Sequence, residues 1–204
     1  MIVNMHLYDL FRNLLKLFPE LSRYNIVFET FESEPGFSVG KVRKRGESFV
    51  VKVAINLVED DVHASFIIAH ELAHILVNPH NIPVEGEKWE PKNHTELLDK
   101  SIEDVVCDWI ALKRLEQYHK GDKKKLKRLY EVYLNAVGAE GYAALAEDMK
   151  HRVLQILKEQ YLNYVEGLLR KYFMNIPIEA LEAMSPFVTL ALSKYVAISC
   201  ETQK

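Results

Sequence analysis

The chain contains few of the residues that mark secreted scaffolds and repetitive proteins. Only two of its 204 residues are cysteines, Cys107 and Cys200, and one isolated pair forms no disulfide framework. The sequence also has no internal repeat and no low-complexity tract. These absences exclude a small disulfide-stapled fold and are typical of a globular protein in a reducing compartment.

Long hydrophobic runs and a strong charge imbalance are absent as well. No uncharged apolar run reaches the ~18 residues that a membrane-spanning helix needs. The N-terminal segment has no basic region followed by an apolar stretch and a cleavage site, so we expect no signal peptide. The net charge of −3 argues against a nucleic-acid scaffold. We therefore expect a soluble, cytoplasmic protein with no membrane partner.

The pattern of apolar residues predicts an α+β fold. Residues 5–18 carry apolar side chains at helical spacing, and Pro19 is expected to end that helix. The segments "NIVFETF", "FSVGKVRKRG" and "SFVVKVAINL" are rich in β-branched and aromatic residues and are separated by turn signals. They predict a small antiparallel or mixed sheet of about three strands.

Further helices are expected along the rest of the chain. One begins at Asp60 or Asp61, either of which can cap it, and ends before Pro79. The next runs from about residue 95 or 101 to Gly121, and the chain from residue 122 is almost entirely helical. We predict a core at 1–121 and a helical extension at 122–204. The extension can complete the cleft, form a homodimer contact or bind a target, and the sequence does not choose among these roles.

The stretch "SFIIAHELAHILVNPH" (65–80) holds three titratable side chains in an apolar helix. His70 and His74 are four residues apart and therefore project from the same face, with Glu71 beside them. Burying such groups is costly unless they are paired or bound to something. H-E-x-x-H places two metal ligands and a general base within five residues. The motif predicts a metal site, with Glu71 taking a proton from the attacking water.

A catalytic zinc site needs a third protein ligand, and the sequence offers three candidates. Asp104 and Asp108 lie four residues apart on the helix "SIEDVVCDWIAL", so one can bind the metal while the other orients a ligand imidazole. We favour Asp104 as the ligand and Asp108 as its supporting residue. Glu103 is a further carboxylate on the same helix, but it is out of register with Asp108. His80 is the last residue of the stretch 65–80 that contains the H-E-x-x-H motif.

Together, "FIIAHELAHILVNPH" and "DVVCDWIAL" resemble the metallopeptidases of the ImmA/IrrE type, a gluzincin-like group. The resemblance covers about residues 45–115 and is strong only in these two motifs. It departs from the family where Asp104 stands in place of the usual glutamate and Ala73 in place of a frequent glycine. The resemblance implies a zincin-like sheet packed on the H-E-x-x-H helix and one Zn²⁺ per chain. It also implies that the strand at 48–56 takes an extended peptide.

Two alternatives to this ligand set and activity stay open. The spacing of His70, His74 and His80 resembles the metzincin motif, but Val77 stands where that family needs glycine for a sharp turn. A non-catalytic, zinc-stabilised regulatory or interaction module would use the same metal. Four residues are candidates for stabilising the oxyanion of the reaction, namely Tyr118, Tyr130, Tyr133 and His151. The expected function is a zinc metallopeptidase that cleaves a peptide or protein substrate, in this family often one regulatory protein.

Overall fold

The computed structural model describes residues 2–34, 38–87 and 94–136. These ranges contain four α-helices and one three-stranded sheet, which confirms the predicted α+β class. The helices are α1 (Ile2–Leu15), α2 (Asp61–Val77), α3 (His94–Tyr118) and α4 (Lys123–Ala136), and the strands are β1 (Asn25–Phe31), β2 (Gly40–Arg45) and β3 (Ser48–Ala54). The helices predicted for 137–204 lie outside the described residues.

The sheet is mixed, with β3 in its centre. Its order is β1-β3-β2, where β1 pairs with β3 in parallel and β2 pairs with β3 antiparallel. An all-antiparallel sheet is therefore wrong. The prediction that the strand at 48–56 accepts a peptide is also wrong, because β3 has a neighbouring strand on each side and presents no edge. Its buried run "FVVKVA" is the pattern of an interior strand.

Helix α2 packs against the sheet and against α1. Its apolar residues surround the helix on all sides, which is why nearly the whole helix is buried. Asp60 is the N-cap, and its carboxylate accepts a hydrogen bond of 2.8 Å from the backbone N–H of His63. The helix ends at Val77, before Pro79, as the sequence predicts.

The first helix ends earlier than its apolar pattern suggests. It stops at Leu15, and Pro19 begins a short 3₁₀ helix, Pro19–Arg23, instead of ending the first one. Proline suits this position because its missing N–H and its fixed φ fit the first turn of a helix. Helix α1 also contacts the sheet, where the Phe11 ring of α1 stacks on the Phe28 ring of β1 with centroids 5.0 Å apart.

The chain divides into two compact units. The first comprises Met1–Glu90 with Val106–Tyr133 and includes the sheet, α1 and α2. The second comprises Pro91–Val105 with Leu134–Lys204, and only its residues 94–105 and 134–136, all helical, are described. The boundary predicted at 121/122 stays a prediction. Within the described ranges, no helix has the length and apolarity that crossing a membrane requires.

Candidate metal centre

His70 and His74 direct their imidazole rings toward a common point. The two residues lie one turn apart on α2, and their ring centroids are 4.7 Å apart at an interplanar angle of 81°. The two Nε2 atoms approach each other to 3.0 Å. His74 is buried and His70 is half-buried. This arrangement follows from the i, i+4 spacing, which stacks side chains on one helix face.

The far nitrogen of His70 is held by a carboxylate on α3. His70 Nδ1 lies 2.6 Å from Asp108 Oδ1, and Asp108 is buried. The carboxylate oxygen accepts in this contact when Nδ1 is the protonated nitrogen of the ring. The neutral ring then has an unprotonated Nε2, which is the form that binds a metal. The predicted role of Asp108 as a support for a ligand imidazole matches this contact.

The far nitrogen of His74 faces a buried thiol. Cys107 Sγ lies 3.3 Å from His74 Nδ1, and Cys107 is fully buried on α3. This contact is on the side of the His74 ring that faces away from the shared point. Two neighbouring residues of α3 thus position both rings of α2.

The distance between the two Nε2 atoms fits a shared zinc ion. Zn–N bonds of about 2.0–2.1 Å at tetrahedral angles would place two such nitrogens ~3.3 Å apart. The observed 3.0 Å is close to that value. Without an ion, one Nε2–H can donate to the other Nε2 at this distance, and a bound cation can take the place of that proton. The residues present therefore fit the metal that the motif predicts.

Asp104 completes a group of three potential ligands. One ligand atom from each of His70, His74 and Asp104 lies within 4.8 Å of the others. Asp104 is four residues before Asp108 on α3, so the two carboxylates share one side of that helix. Asp104 also contacts the ammonium of Lys100 at 3.2 Å. Two imidazoles and one carboxylate form a donor set that zinc commonly uses at catalytic sites.

Glu71 is buried beside this group, against a glycine of the sheet. A Cβ added to Gly40 would lie 2.8 Å from Glu71 Oε1 and closer still to the side chain of Ile67. Gly40 therefore allows β2 to approach α2 where the predicted general base sits. The sequence showed only a glycine in a strand, and nothing in it linked Gly40 to Glu71.

The two alternative ligands are not part of the group of three. His80 is exposed in the turn after α2, and the carboxylate of Glu103 contacts Lys100 at 3.1 Å. Among the residues that the structure describes, only His70, His74 and Asp104 form such a group.

The four candidates for the oxyanion donor have different surroundings. Tyr133 is buried near the centre, where burial and then the charge of Asp108 raise its pKa well above the usual value. Tyr130 donates a hydrogen bond to Glu116 at 2.7 Å and is exposed, and Tyr118 is also exposed. His151 lies outside the described residues. Of these three tyrosines, Tyr133 is thus the one whose pKa is affected by a residue of the centre, Asp108.

Comparison with known proteins returned no match: neither a family model, nor a curated protein, nor a solved structure is similar to this chain. The functional reading therefore rests on the residues of the site and on their geometry.

Proposed function

We propose that this protein is a zinc-dependent metallopeptidase. The observation that carries the proposal is the convergence of His70 Nε2 and His74 Nε2 at 3.0 Å, with the opposite nitrogens held by Asp108 and Cys107. A pair of rings fixed in this way is prepared to bind a cation. Glu71, buried next to the pair, adds a general base that a purely structural metal site does not need.

Each residue of the centre has a definite role in this proposal. His70, His74 and Asp104 would hold one zinc ion, which when bound supplies a Lewis acid and lowers the pKa of a water molecule toward neutrality. Glu71 accepts a proton from the attacking water and passes it to the leaving amine. Asp108 keeps His70 in the correct tautomer.

The edge of β2 is the part of the sheet best suited to hold an extended peptide. The backbone N–H of Lys44 donates to the carbonyl oxygen of Pro83, and its C=O accepts from the N–H of Glu85, both outside the sheet. Alternate residues of β2 therefore point their backbone groups outward. Gly40 and Val42 share that orientation. Gly40 also adjoins Glu71. A peptide added along this edge would lie beside the proposed general base.

The first test combines metal analysis with a search for cleavage. Purified wild type and Glu71→Gln are compared for zinc content and for new termini that they generate in a proteome-derived peptide mixture, read by mass spectrometry. We expect about one zinc per chain in both proteins and new termini only with the wild type, because the substitution removes the base and leaves the ligands in place.

Two results would contradict the proposal. A wild type that binds no zinc after zinc is supplied would remove the metal centre. The zinc-loaded wild type and the zinc-loaded Glu71→Gln variant could also generate the same new termini, or neither could generate any. Either result would reject catalysis by Glu71 and favour a zinc-stabilised interaction module.

A further inference from the structure

The cations on β2 differ in whether a carboxylate neutralises them. Because Gly40 faces α2, the alternating side chains of Lys41, Arg43 and Arg45 project from the opposite face of the sheet. Arg45 contacts Glu29 and Glu85, and Lys52 of the neighbouring strand contacts the same two carboxylates. Arg45 and Lys52 thus share two carboxylates, and Lys52 lies directly across from Lys41 in the register of β2 with β3.

Among the residues that the structure describes, no carboxylate lies within ion-pair distance of Lys41 or Arg43, although the charge of Glu85 acts on Lys41 from farther away. The ammonium of Lys41 lies 4.0 Å from the centre of the Phe31 ring, and the guanidinium of Arg43 donates to the carbonyl oxygen of Val42 at 2.8 Å. Burial, followed by the charges of Arg43 and Lys52, lowers the pKa of Lys41. These contacts leave an excess of positive charge on this face.

These two cations flank the open part of the β2 edge. The segment around Val84 covers the edge at Lys44 through two backbone hydrogen bonds of 2.8 Å. In the described ranges, no backbone hydrogen bond reaches the outward N–H groups of Gly40 and Val42. Their carbonyl oxygens accept hydrogen bonds from the side chains of Ser38 and Arg43, which a pairing segment would have to replace. An extended segment that pairs there would place every second side chain next to Lys41 and Arg43. The other side chains would point toward α2 and Glu71.

We propose that the segment bound at this edge carries acidic side chains at alternate positions, facing Lys41 and Arg43. The inference rests on the proposed function for the placement of the substrate, and it adds the substrate's charge pattern. Opposite charges directly across two strands stabilise the pair, whereas like charges destabilise it. A segment with lysine or arginine at these positions is disfavoured for the same reason.

Fluorescence anisotropy with two labelled ten-residue peptides tests the charge pattern. One peptide alternates threonine with glutamate, and the other alternates threonine with glutamine, so the two differ only in charge on one face. Zinc-loaded Glu71→Gln protein serves as the receptor so that the peptides are not cleaved. We expect the glutamate peptide to bind about three- to tenfold more tightly at low salt, the effect of two partly exposed ion pairs.

The double substitution Lys41→Gln with Arg43→Gln should abolish that preference. Lys44→Gln is the matched control, because Lys44 lies on the same strand but its side chain projects from the other face. A preference that is lost only in the double variant supports the proposal. Failure of both peptides to bind, equal binding of the two, a preference that survives the double substitution, or an equal loss in Lys44→Gln would overturn it.

The same peptides, measured with metal-free wild type, separate this inference from the proposed function. The protein could show the charge preference yet take up no zinc and cleave nothing. That result would support peptide binding at the β2 edge and contradict the proposed peptidase activity. Cleavage that depends on Glu71, combined with no charge preference, would retain the peptidase and reject the acidic pattern.

Discussion

Asp104 and Asp108 lie one turn apart on α3, yet their surroundings give them different chemistry. Asp108 is buried and accepts a hydrogen bond from His70, whereas the side chain of Asp104 is 47% exposed and contacts Lys100. A half-exposed carboxylate near two imidazoles suits the proposed role of a metal ligand. A buried carboxylate that is already bonded to a ring is suited to orient that ring. Both residues are aspartates, and their different exposure and contacts suit Asp104 to bind a metal and Asp108 to orient a ligand ring.

Replacement of Asp108 should weaken zinc binding without removing a ligand. We expect Asp108→Ala to lower zinc affinity about 10- to 100-fold, the usual cost of losing a residue that orients a metal ligand. Asp108→Asn keeps an acceptor oxygen and should lose less. Competition with a chromophoric chelator measures both affinities. Equal affinities for wild type and Asp108→Ala would show that the His70 ring needs no such support.

Gly40 leaves no room for a side chain. In Gly40→Ala the new Cβ would meet Glu71 Oε1 at 2.8 Å and press on Ile67, so we expect a loss of about 1–3 kcal/mol in unfolding free energy. The proposed peptidase activity should also fall while the zinc content stays that of the wild type, because the substitution displaces Glu71 and none of the proposed ligands. Chemical denaturation and metal analysis measure these effects.

Gly121→Ala gives the contrasting case. Gly121 has φ near +95° and open space around its Cβ position, so a loss of stability there comes from backbone strain. Gly40 has no positive φ, so a loss in Gly40→Ala comes from the packing of the new Cβ. Unchanged stability and activity in Gly40→Ala would refute the close packing of β2 on α2.

At the level of elements, ion pairs fasten the segment after α2 to the sheet. Glu85 contacts Arg45 on β2 and Lys52 on β3, and the same segment bonds to Lys44 through its backbone. Hydrogen bonds from Arg45 and then from Lys52 lower the pKa of Glu85 from 4.5 to about 2. A group whose pKa falls on folding stabilises the folded state above its unfolded pKa. That contribution disappears as the pH falls toward the folded value.

Wild type should therefore lose stability more steeply than Glu85→Gln between pH 4.5 and about 2. The difference should shrink in 1 M salt, since salt screens exposed charges. Glu47→Gln, in the turn between β2 and β3, is the control that removes an acidic residue elsewhere. Urea denaturation at a series of pH values measures the slopes. Parallel curves for wild type and Glu85→Gln would show that this ion-pair network adds nothing to stability.

At the level of the whole molecule, metal binding and stability should be linked. A ligand that binds only the folded state, present at 100 times its Kd, adds about 2.7 kcal/mol, which for a chain of this length raises Tm by roughly 5–10 °C. We expect excess zinc to produce this shift in the wild type and in His80→Ala, whose side chain lies outside the group of three.

His74→Ala should abolish the shift because it removes one of the two converging nitrogens. Differential scanning calorimetry with zinc and with a chelator gives the comparison. A shift lost in His80→Ala but kept in Asp104→Ala would instead favour the metzincin-like ligand set.

Features set by neighbours in sequence were predictable. Helix α2 follows from the cap at Asp60, the apolar residues between its ends and Pro79 after it, all within about twenty residues. The strands of the sheet were also recognisable. Their order was not, because pairing between β1 and β3 joins segments more than twenty residues apart. The apolar run of β3 is typical of an interior strand, but it does not specify which strands flank β3 or in which direction they run.

The sequence by itself determined the spacing of His70, Glu71 and His74, because a helix converts i, i+4 into a shared face without help from the rest of the chain. It also determined that Asp104 and Asp108 share a face of α3. Only the tertiary structure decided that Asp108 and Cys107 hold the two rings, that Gly40 adjoins Glu71, and that β2 is an edge strand. These contacts depend on how separate elements pack, and packing of distant segments is set by the core as a whole.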